Sequence, residues 1–451
     1  MLNYIWLALV LLAVTIGGWN GHLKEVTEGA FEGARTAVTI ALGLIGIMAL
    51  WLGVMRLAER AGLVQKLALL LRPVMSRLFP GVPNDHPAMG SMLMNMAANM
   101  LGLGNAATPL GLRAMRDLER LNPHPGTATN AMCTFLAINT SSVQLIPTTA
   151  IAILVAAGST NPTRIVGTSL LATLCAATVA ITMVKLLEKV PFFRVRPIVI
   201  AGAADSSRVG KIESILPANE PTGVGAPGDR ASSVPFWGKG ILLLLALFFI
   251  GLFVRQVFPE TLGLPPSPGA LASSYFVRSV SALSLLAIPM LLSFFILYAA
   301  LCGLKVYDEF VEGAKEGFSV ILKIIPFLVT MLVAINMFKG AGGIDLLARA
   351  LSPILTPLHF PTDLLPIALM RPLSGGATLA LFTDVVHRLG PDNIVSLMAA
   401  TIYGSTETTF YVAAVYFGSV GIKQTRHAIP AGLLADFAGV VASVIICRAV
   451  L

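Results

Sequence analysis

Long apolar runs separated by shorter polar stretches follow one another along most of the chain. Several runs reach the roughly 20 apolar residues that span the hydrocarbon core of a bilayer. We expect these runs to be helices, because backbone groups in lipid must form their hydrogen bonds within their own segment. The runs that we expect to span the membrane are Tyr4–Trp19, Ile165–Leu187, Phe236–Phe258 and Tyr275–Leu304, the last with Pro289 inside it. Arg35–Leu57 is either a second span or a long interior helix.

Two further apolar stretches of the first half are interrupted by polar residues, glycine and proline. Asn95–Pro109 contains three asparagines, two glycines and a proline, which predicts two half-helices that meet as a re-entrant hairpin. Ala128–Ala157 has a polar centre, Asn139–Gln144, followed by Pro147, and this pattern predicts another broken helix. Non-helical backbone at membrane depth is tolerated only where protein or water covers it.

Two charged residues of the second half fall where a bilayer would place hydrocarbon. Glu407 lies inside the apolar run Ile394–Val420, and Arg371 follows the apolar stretch Leu364–Met370. An intramembrane carboxylate costs about 2.5–3.5 kcal/mol on insertion scales, so Glu407 should face the protein interior or a water-filled cavity. One hypothesis is that the two charges face each other or a solute. The alternative is that Arg371 snorkels to the headgroups and Glu407 bonds only to neighbouring hydroxyls.

Polar residues near these interruptions are the candidates for binding a solute or an ion. The alternative for each is an interhelical hydrogen bond, worth about 0.6 kcal/mol. Asp436, another acid in an apolar run, either relays a proton or caps a neighbouring helix. The candidate binding residues are Glu407, Arg371, Asn95, Asn99, Asn105, Asn139, Ser141, Ser405, Thr406 and Thr409.

The second half of the chain repeats motifs of the first. Glu28–Gly33 matches Glu312–Gly317, and the stretch at Gly104 matches the one at Gly375. Asn139–Ser142 lies where Ser405–Thr408 lies. Both Gly29/Gly33 and Gly313/Gly317 form GxxxG motifs, which indicate either close helix packing or a capping turn.

The repeat gives a division of the chain into two related membrane units. We expect units over 1–190 and 275–451, joined by a polar linker over 191–235 and a connecting span and loop over 236–274. One extra span between the units predicts inverted topology, with a site near the midplane where broken helices meet.

Composition supports a polytopic membrane protein of about ten membrane elements and argues against other classes. Hydrophobic residues make up 56% of the 451 residues and charged ones 12%, with a mean hydropathy of +0.82. The net charge of +8 comes largely from Lys and Arg between spans, so it does not indicate nucleic-acid binding. The four isolated cysteines predict no metal site, and no cofactor or catalytic motif is recognisable, so we do not expect an enzyme.

Three stretches carry a resemblance to a known family: NMAANMLGLGNAATP over Asn95–Pro109, FLAINTSSVQLIPT over Phe135–Thr148, and GSTETTFYVAAVYFGSVG over Gly404–Gly421. They resemble spore maturation proteins A and B. Residues 1–190 are similar to protein A and 275–451 to protein B, including Arg371–Gly375 and Lys423–Leu433. The resemblance implies a fused chain with the nucleoside recognition, or gate, domain.

That family also includes nucleoside and ferrous-iron transporters, and the GTPase domain of the iron branch is missing here. The resemblance, together with the intramembrane polar cluster, leads us to expect a transporter of a small polar solute that works by alternating access. A nucleoside-like molecule is one option for the solute, and H⁺ or Na⁺ would be the coupling ion. The alternative is a non-transporting protein that acts through partners in spore or envelope maturation. We expect a multi-pass protein of the bacterial cytoplasmic membrane, in contact with lipid. A homo-oligomer is one option for its assembly.

Overall fold

Helices build both halves of the chain, and no β-strand occurs among the residues that the structure describes. These are residues 2–102, 104–193, 234–262, 274–343, 346, 349 and 360–451 of a computed structural model. The first half contains α1 Leu2–Asn20, α2 Leu23–Arg60, α3 Leu63–Leu78, α4 Pro87–Met100, α5 Gly104–Glu119, α6 Asn130–Ser141, α7 Thr148–Ala156 and α8 Ile165–Leu187.

In the second half, the last four helices match those of the first half in order and closely in length, and they follow a long helix equivalent to α2 and a shorter first arm of the hairpin. The predicted linker over 191–235 lies mainly outside the described residues. The helices are α9 Phe236–Val257, α10 Tyr275–Leu301, α11 Val306–Gly340, α12 Leu365–Met370, α13 Gly375–Leu389, α14 Ile394–Ser405, α15 Thr409–Gly418 and α16 Ala428–Val450.

Five segments are long and apolar enough to cross a membrane, among the residues described. The shorter helices α6 and α7 together occupy the predicted broken stretch Ala128–Ala157, and α14 and α15 occupy the equivalent stretch of the second half. The prediction of an all-α polytopic membrane protein with broken helices is therefore confirmed. The five segments are Leu23–Arg60, Pro162–Leu187, Phe236–Val257, Tyr275–Leu301 and Ala428–Val450.

The two longest helices, α2 and α11, lie against each other along their length and run antiparallel. A Cβ atom added at Gly29 would come within 2.6 Å of the Asn336 carbonyl oxygen, and one at Gly33 within 2.6 Å of the Leu332 carbonyl oxygen. Glycine is required there because the two backbones nearly touch. The GxxxG motif therefore packs helices and does not form a capping turn.

The same contact occurs a second time with the halves exchanged. A Cβ atom at Gly313 would lie 2.6 Å from the Leu52 carbonyl oxygen, and one at Gly317 would lie 2.8 Å from the Ala49 Cα atom. Equivalent residues of α2 and α11 thus meet each other's helices at equivalent places, as a local two-fold axis across the pair requires. Because the equivalent helices are antiparallel, the repeats are inverted, as predicted.

The helices α8 and α16 repeat this antiparallel arrangement. The side chain of Arg164, just before α8, donates to the carbonyl oxygen of Leu451 at 3.0 Å, after α16. Beyond the other end of the pair, Arg426 Nε donates to the Phe193 carbonyl oxygen at 2.8 Å. Between these ends, a Cβ at Gly439 would lie 3.4 Å from the Cβ of Ala176. Both helices of the α8–α16 pair pack against α6 and α14, which belong to the two broken helices.

Each half also contains a helical hairpin. The helices α4 and α5 turn at Gly102, whose φ of +77° is a left-handed conformation that suits glycine. The hairpin of the second half joins α12 to α13, and α13 begins at Gly375 as α5 begins at Gly104. The predicted pairing of Asn139–Ser142 with Ser405–Thr408 is shifted by two residues, because α6 ends at Ser141 and α14 ends at Ser405.

Candidate functional site

Both broken helices are held open by main-chain hydrogen bonds to the hairpin of their own half. In the first half, the Leu145 N–H donates to the Met100 carbonyl oxygen at 3.1 Å. In the second half, the Phe410 N–H donates to the Pro372 carbonyl oxygen at 3.0 Å. These bonds use backbone groups that a continuous helix would have satisfied internally. We call residues 142–147 the first break and 406–408 the second break.

A small polar cavity lies where the two hairpins and the two breaks meet. Its volume is about 180 Å³. It is lined by Asn99, Gly102, Gln144, Pro147, Thr148, Thr149, Ala150, Arg371, Gly375, Tyr403, Gly404 and Glu407. Each half of the chain contributes one hairpin and one break to the wall. The α7 and α13 N-termini also reach it, and the partial positive charge of a helix N-terminus favours anions there.

Glu407, in the second break, is half-buried on this wall. Its Oε1 atom accepts a hydrogen bond from Gln144 Nε2 at 3.0 Å. Its N–H donates to the Thr140 carbonyl oxygen at 2.6 Å, at the end of α6. Both bonds cross from one half of the chain to the other, so the position of Glu407 depends on both repeats.

Arg371, at the C-terminus of α12, is buried with 3% of its surface exposed. Its guanidinium donates from Nη1 to Thr408 Oγ1 at 3.2 Å and from Nη2 to the Tyr403 carbonyl oxygen at 3.1 Å. The guanidinium carbon also lies 5.2 Å from the centre of the Tyr403 ring. This burial does not fit snorkelling to the headgroups. Arg371 and Glu407 line one cavity, but they form no ion pair within 4.0 Å.

The asparagines divide into one that lines the cavity and two that hold helices together. Asn99 Nδ2 donates to Asn139 Oδ1 at 2.9 Å, and Asn99 lines the cavity. Asn139 in turn donates to the Phe135 carbonyl oxygen at 2.9 Å. Asn95 is fully buried, donating to the Ala107 carbonyl oxygen across the hairpin at 2.7 Å and to the Tyr416 hydroxyl at 3.2 Å. The Asn105 side chain lies outside the described residues.

The candidate hydroxyls lie behind the cavity wall. Ser141 and Ser405 are equivalent, and each donates within its own helix, to the carbonyl oxygens of Ile138 at 3.2 Å and Ile402 at 2.9 Å. Thr406 is buried, and its methyl group packs against Gly439 of α16. Neither serine is free to bind a solute.

Asp436, on α16, is 1% exposed and lies beneath the second break. Its Oδ2 atom accepts a hydrogen bond from Thr409 Oγ1 at 2.6 Å, and its Oδ1 atom has no hydrogen-bond partner. Arg371 and Glu407 are charged side chains in its neighbourhood. Of the two hypotheses for Asp436, capping is supported only by the contact to Thr409, the first residue of α15.

Several wall residues were absent from the predicted set. Gln144 lies in the predicted polar centre Asn139–Gln144, and an amide in an apolar run is the same signal that singles out Asn139. Tyr403 lies four residues before Glu407, and an aromatic residue in an apolar run does not by itself indicate a binding site. Thr148 and Thr149 begin α7, and only the position of the break shows that they face the cavity.

A second, larger space adjoins the polar cavity. It has a volume of about 800 Å³ and a mostly apolar wall that includes Leu379, Phe410 and Phe417. Gly375, Tyr403 and Glu407 line both spaces. Glu407 therefore stands between a small polar chamber and a wider apolar groove.

Comparison with known proteins finds matches in two separate parts of the chain. Residues 41–158 and 321–423 match the gate family model, described as "Nucleoside recognition". Spore maturation protein A of Bacillus subtilis (strain 168) is 49% identical over 174 residues, 39% of this chain and 89% of that protein. Spore maturation protein B of the same organism is 44% identical over 167 residues, 37% of this chain and 94% of that protein.

Proposed function

Since the chain belongs to the spore maturation protein A and B family, we propose that it transports a small polar solute across the membrane by ion-coupled alternating access. The chain is a multi-pass bacterial membrane protein with the gate domain. The observation that carries the proposal is the polar cavity between the inverted repeats, with Arg371 and Glu407 on its wall. Secondary transporters place their solute site at such a meeting of broken helices.

The arrangement supports alternating access in two ways. The cavity is built from two hairpins and two breaks, so a tilt of one half against the other would open it towards one side or the other. Glu407 is held by Gln144 and Thr140 of the opposite half, and these bonds would break in such a tilt. The side chain would then exchange a protein partner for a solute.

The coupling ion in this proposal is a proton, taken up by Asp436. A buried carboxylate with one hydroxyl partner and no cation within 4.0 Å is costly when charged, and a proton removes that charge. Arg371 and Glu407 lie near Asp436 and line the cavity, so entry of a solute would change the charge around Asp436. Proton uptake would therefore depend on solute binding.

Uptake into proteoliposomes tests the transport proposal directly. We expect radiolabelled solute to accumulate in vesicles with an imposed pH gradient, beginning the panel with nucleosides because of the family description. Glu407→Gln should reduce the initial rate about tenfold or more. Glu312→Gln, which removes an exposed glutamate paired with Lys315, is the matched control and should leave the rate unchanged. A folded protein that moves no solute in either direction of the gradient would refute the proposal.

A second candidate function is favoured by the names of the relatives, which refer to spore maturation. In that case the protein would act on envelope or spore assembly through partners and would not carry a solute. The Asn95 amide nitrogen and the Ser141 and Ser405 hydroxyls suit such a role, because each donates a hydrogen bond within the core. Glu407→Gln would then leave the protein's stability and its association with partners unchanged.

A further inference from the structure

Arg371 is a buried cation that lacks an anionic contact. It is 3% exposed, its two hydrogen bonds go to uncharged oxygens, and its Nε has no partner. Arg388, nearby in sequence, shows the ordinary arrangement, with Asp384 and Asp363 at 2.8 and 3.1 Å. A guanidinium has five N–H donors, so Arg371 keeps capacity for a further acceptor in the cavity that it lines.

Glu407 lines the same cavity with the opposite charge. Its contact at Oε1 is an amide, Gln144, and it forms no ion pair with Arg371. Two opposite charges that line one cavity without touching leave each other only partly compensated. A buried charge with no close partner is strongly unfavourable, and a bound ligand can provide the missing partner.

From these contacts we infer that the solute is a small zwitterion, with its anionic group against Arg371 and its cationic group against Glu407. This inference rests on the proposed function and specifies its substrate class. A neutral solute would leave both wall charges unpaired, and a simple cation would be repelled by Arg371. The cavity of about 180 Å³ is smaller than the roughly 300–1,000 Å³ of pockets for drug-sized ligands, which favours a molecule of amino-acid size.

Thermal unfolding of the purified full-length protein with four matched probes tests the charge requirement. L-alanine carries both charges, alaninamide only the positive one, N-acetylalanine only the negative one, and uridine neither. A ligand that binds only the folded protein raises the unfolding midpoint in proportion to the logarithm of its concentration. We expect L-alanine to raise it, and each singly charged probe to need about tenfold or more higher concentration for the same shift.

Two variants assign each charge to its residue. Arg371→Gln should abolish the advantage of L-alanine over alaninamide, and Glu407→Gln should abolish its advantage over N-acetylalanine. The panel on the wild-type protein stands without either variant, should one fail to fold. The inference is overturned if uridine stabilises the wild type more than L-alanine does, or if none of the four probes shifts its midpoint.

This test separates the two proposals. Stabilisation by L-alanine without uptake into vesicles would refute transport and keep the ligand class. Uptake of a nucleoside with no response to zwitterions would confirm transport and overturn the ligand class.

Discussion

The two breaks are equivalent in position and differ in chemistry. Thr173 is the ninth residue of α8, and Asp436 is the ninth residue of α16, so each lies beneath the break of its own half. Thr173 Oγ1 donates to the carbonyl oxygens of Ser141 and Ser142 at 3.0 and 2.9 Å. Asp436 instead accepts a hydrogen bond from Thr409, and its second oxygen has no partner.

In the proposed mechanism, the same duplicated framework holds one break that is fixed and one that responds to a proton. The Thr173 hydroxyl shares its proton between two buried carbonyl oxygens, and none of these groups titrates in the physiological range. In the proposed mechanism a buried acid makes the second break depend on a proton, because the charged and neutral forms require different surroundings. The first break is thus the structural member of the pair, and the second carries the charges of the proposed site.

Thr173→Asp should give the largest effect, because it places an acid against two carbonyl oxygens. A charged carboxylate there has no donor, so we expect a loss of about 3–5 kcal/mol in the free energy of unfolding at neutral pH. Denaturant unfolding in detergent measures it. Thr173→Val, which only removes the donor, should cost about 1–3 kcal/mol. If the two variants lose the same stability, the charge does not matter at this position.

Gly33→Leu and Gly317→Leu test whether the halves are alike away from the breaks. Each places a side chain where the α2 and α11 backbones approach closely, at distances below 3 Å for even a Cβ atom. We expect each to destabilise the protein by about 1–3 kcal/mol, and by similar amounts, because the two contacts are equivalent. Gly46→Leu is the control, since a Cβ there meets nothing within 4 Å. A large difference between Gly33→Leu and Gly317→Leu would show that the two contacts between α2 and α11 do not contribute equally to stability.

Asp436→Thr places a threonine beneath the second break, as Thr173 lies beneath the first. Stability should change by less than about 1 kcal/mol or increase, because replacing a buried charge by a neutral group is often neutral or favourable. Solute transport driven by a pH gradient should be lost, whereas solute-induced stabilisation should persist. Asp436→Asn is the matched variant that keeps the shape of the side chain. Undiminished pH-driven uptake by either variant would remove Asp436 from the coupling step.

We expect the smallest effect on stability at two hydrogen-bonded links between the halves, one at Asp392 and one at Gln424. Asp392 accepts hydrogen bonds from the Ser159 hydroxyl at 2.6 Å and the Thr160 N–H at 3.0 Å, and these bonds lower the pKa of its carboxyl group. The Gln424 carbonyl oxygen makes the equivalent link by accepting from the Ala128 N–H at 3.0 Å, and it does not titrate.

The Asp392 link should therefore respond to acid and the Gln424 link should not. A carboxyl group with a lowered pKa stabilises the fold above its unfolded value of about 3.9 and loses that contribution as the pH falls through its folded value. Because Asp392 is exposed, we expect only about 0.2–1 kcal/mol between pH 6 and pH 3. Asp392→Asn should flatten this part of the stability profile; an unchanged profile would assign the acid response to other groups.

The sequence alone predicted the fold class and the inverted repeat well, because length, hydropathy and recurring glycines report directly on membrane helices. Gly29 and Gly33 recur at Gly313 and Gly317, and the structure shows why both pairs are needed. The register between the breaks was wrong by two residues, since short polar segments contain too few distinctive residues to align. The ends of α6 and α14 fix that register.

The charged residues of the candidate site can be recognised in the sequence, whereas the extent of the site cannot. Glu407 and Arg371 stood out because a charge in an apolar run needs a reason. Asn95 looks identical in sequence to Asn99, and only the tertiary contact to Ala107 across the hairpin separates them. Thr173 could not be singled out, since a threonine in an apolar helix is ordinary until its equivalence to Asp436 is known.

The shared cavity wall makes the two repeats dependent on each other. Gln144 and Thr148 come from one half, and Arg371 and Glu407 from the other. Cutting the chain within residues 194–233 would leave two fragments, neither of which contains a whole site. Because α2 pairs with α11 and α8 with α16, the separately expressed fragments should recognise each other as a heterodimer and rebuild the cavity at their interface. In that sense the single chain is a permanently tethered pair of complementary subunits.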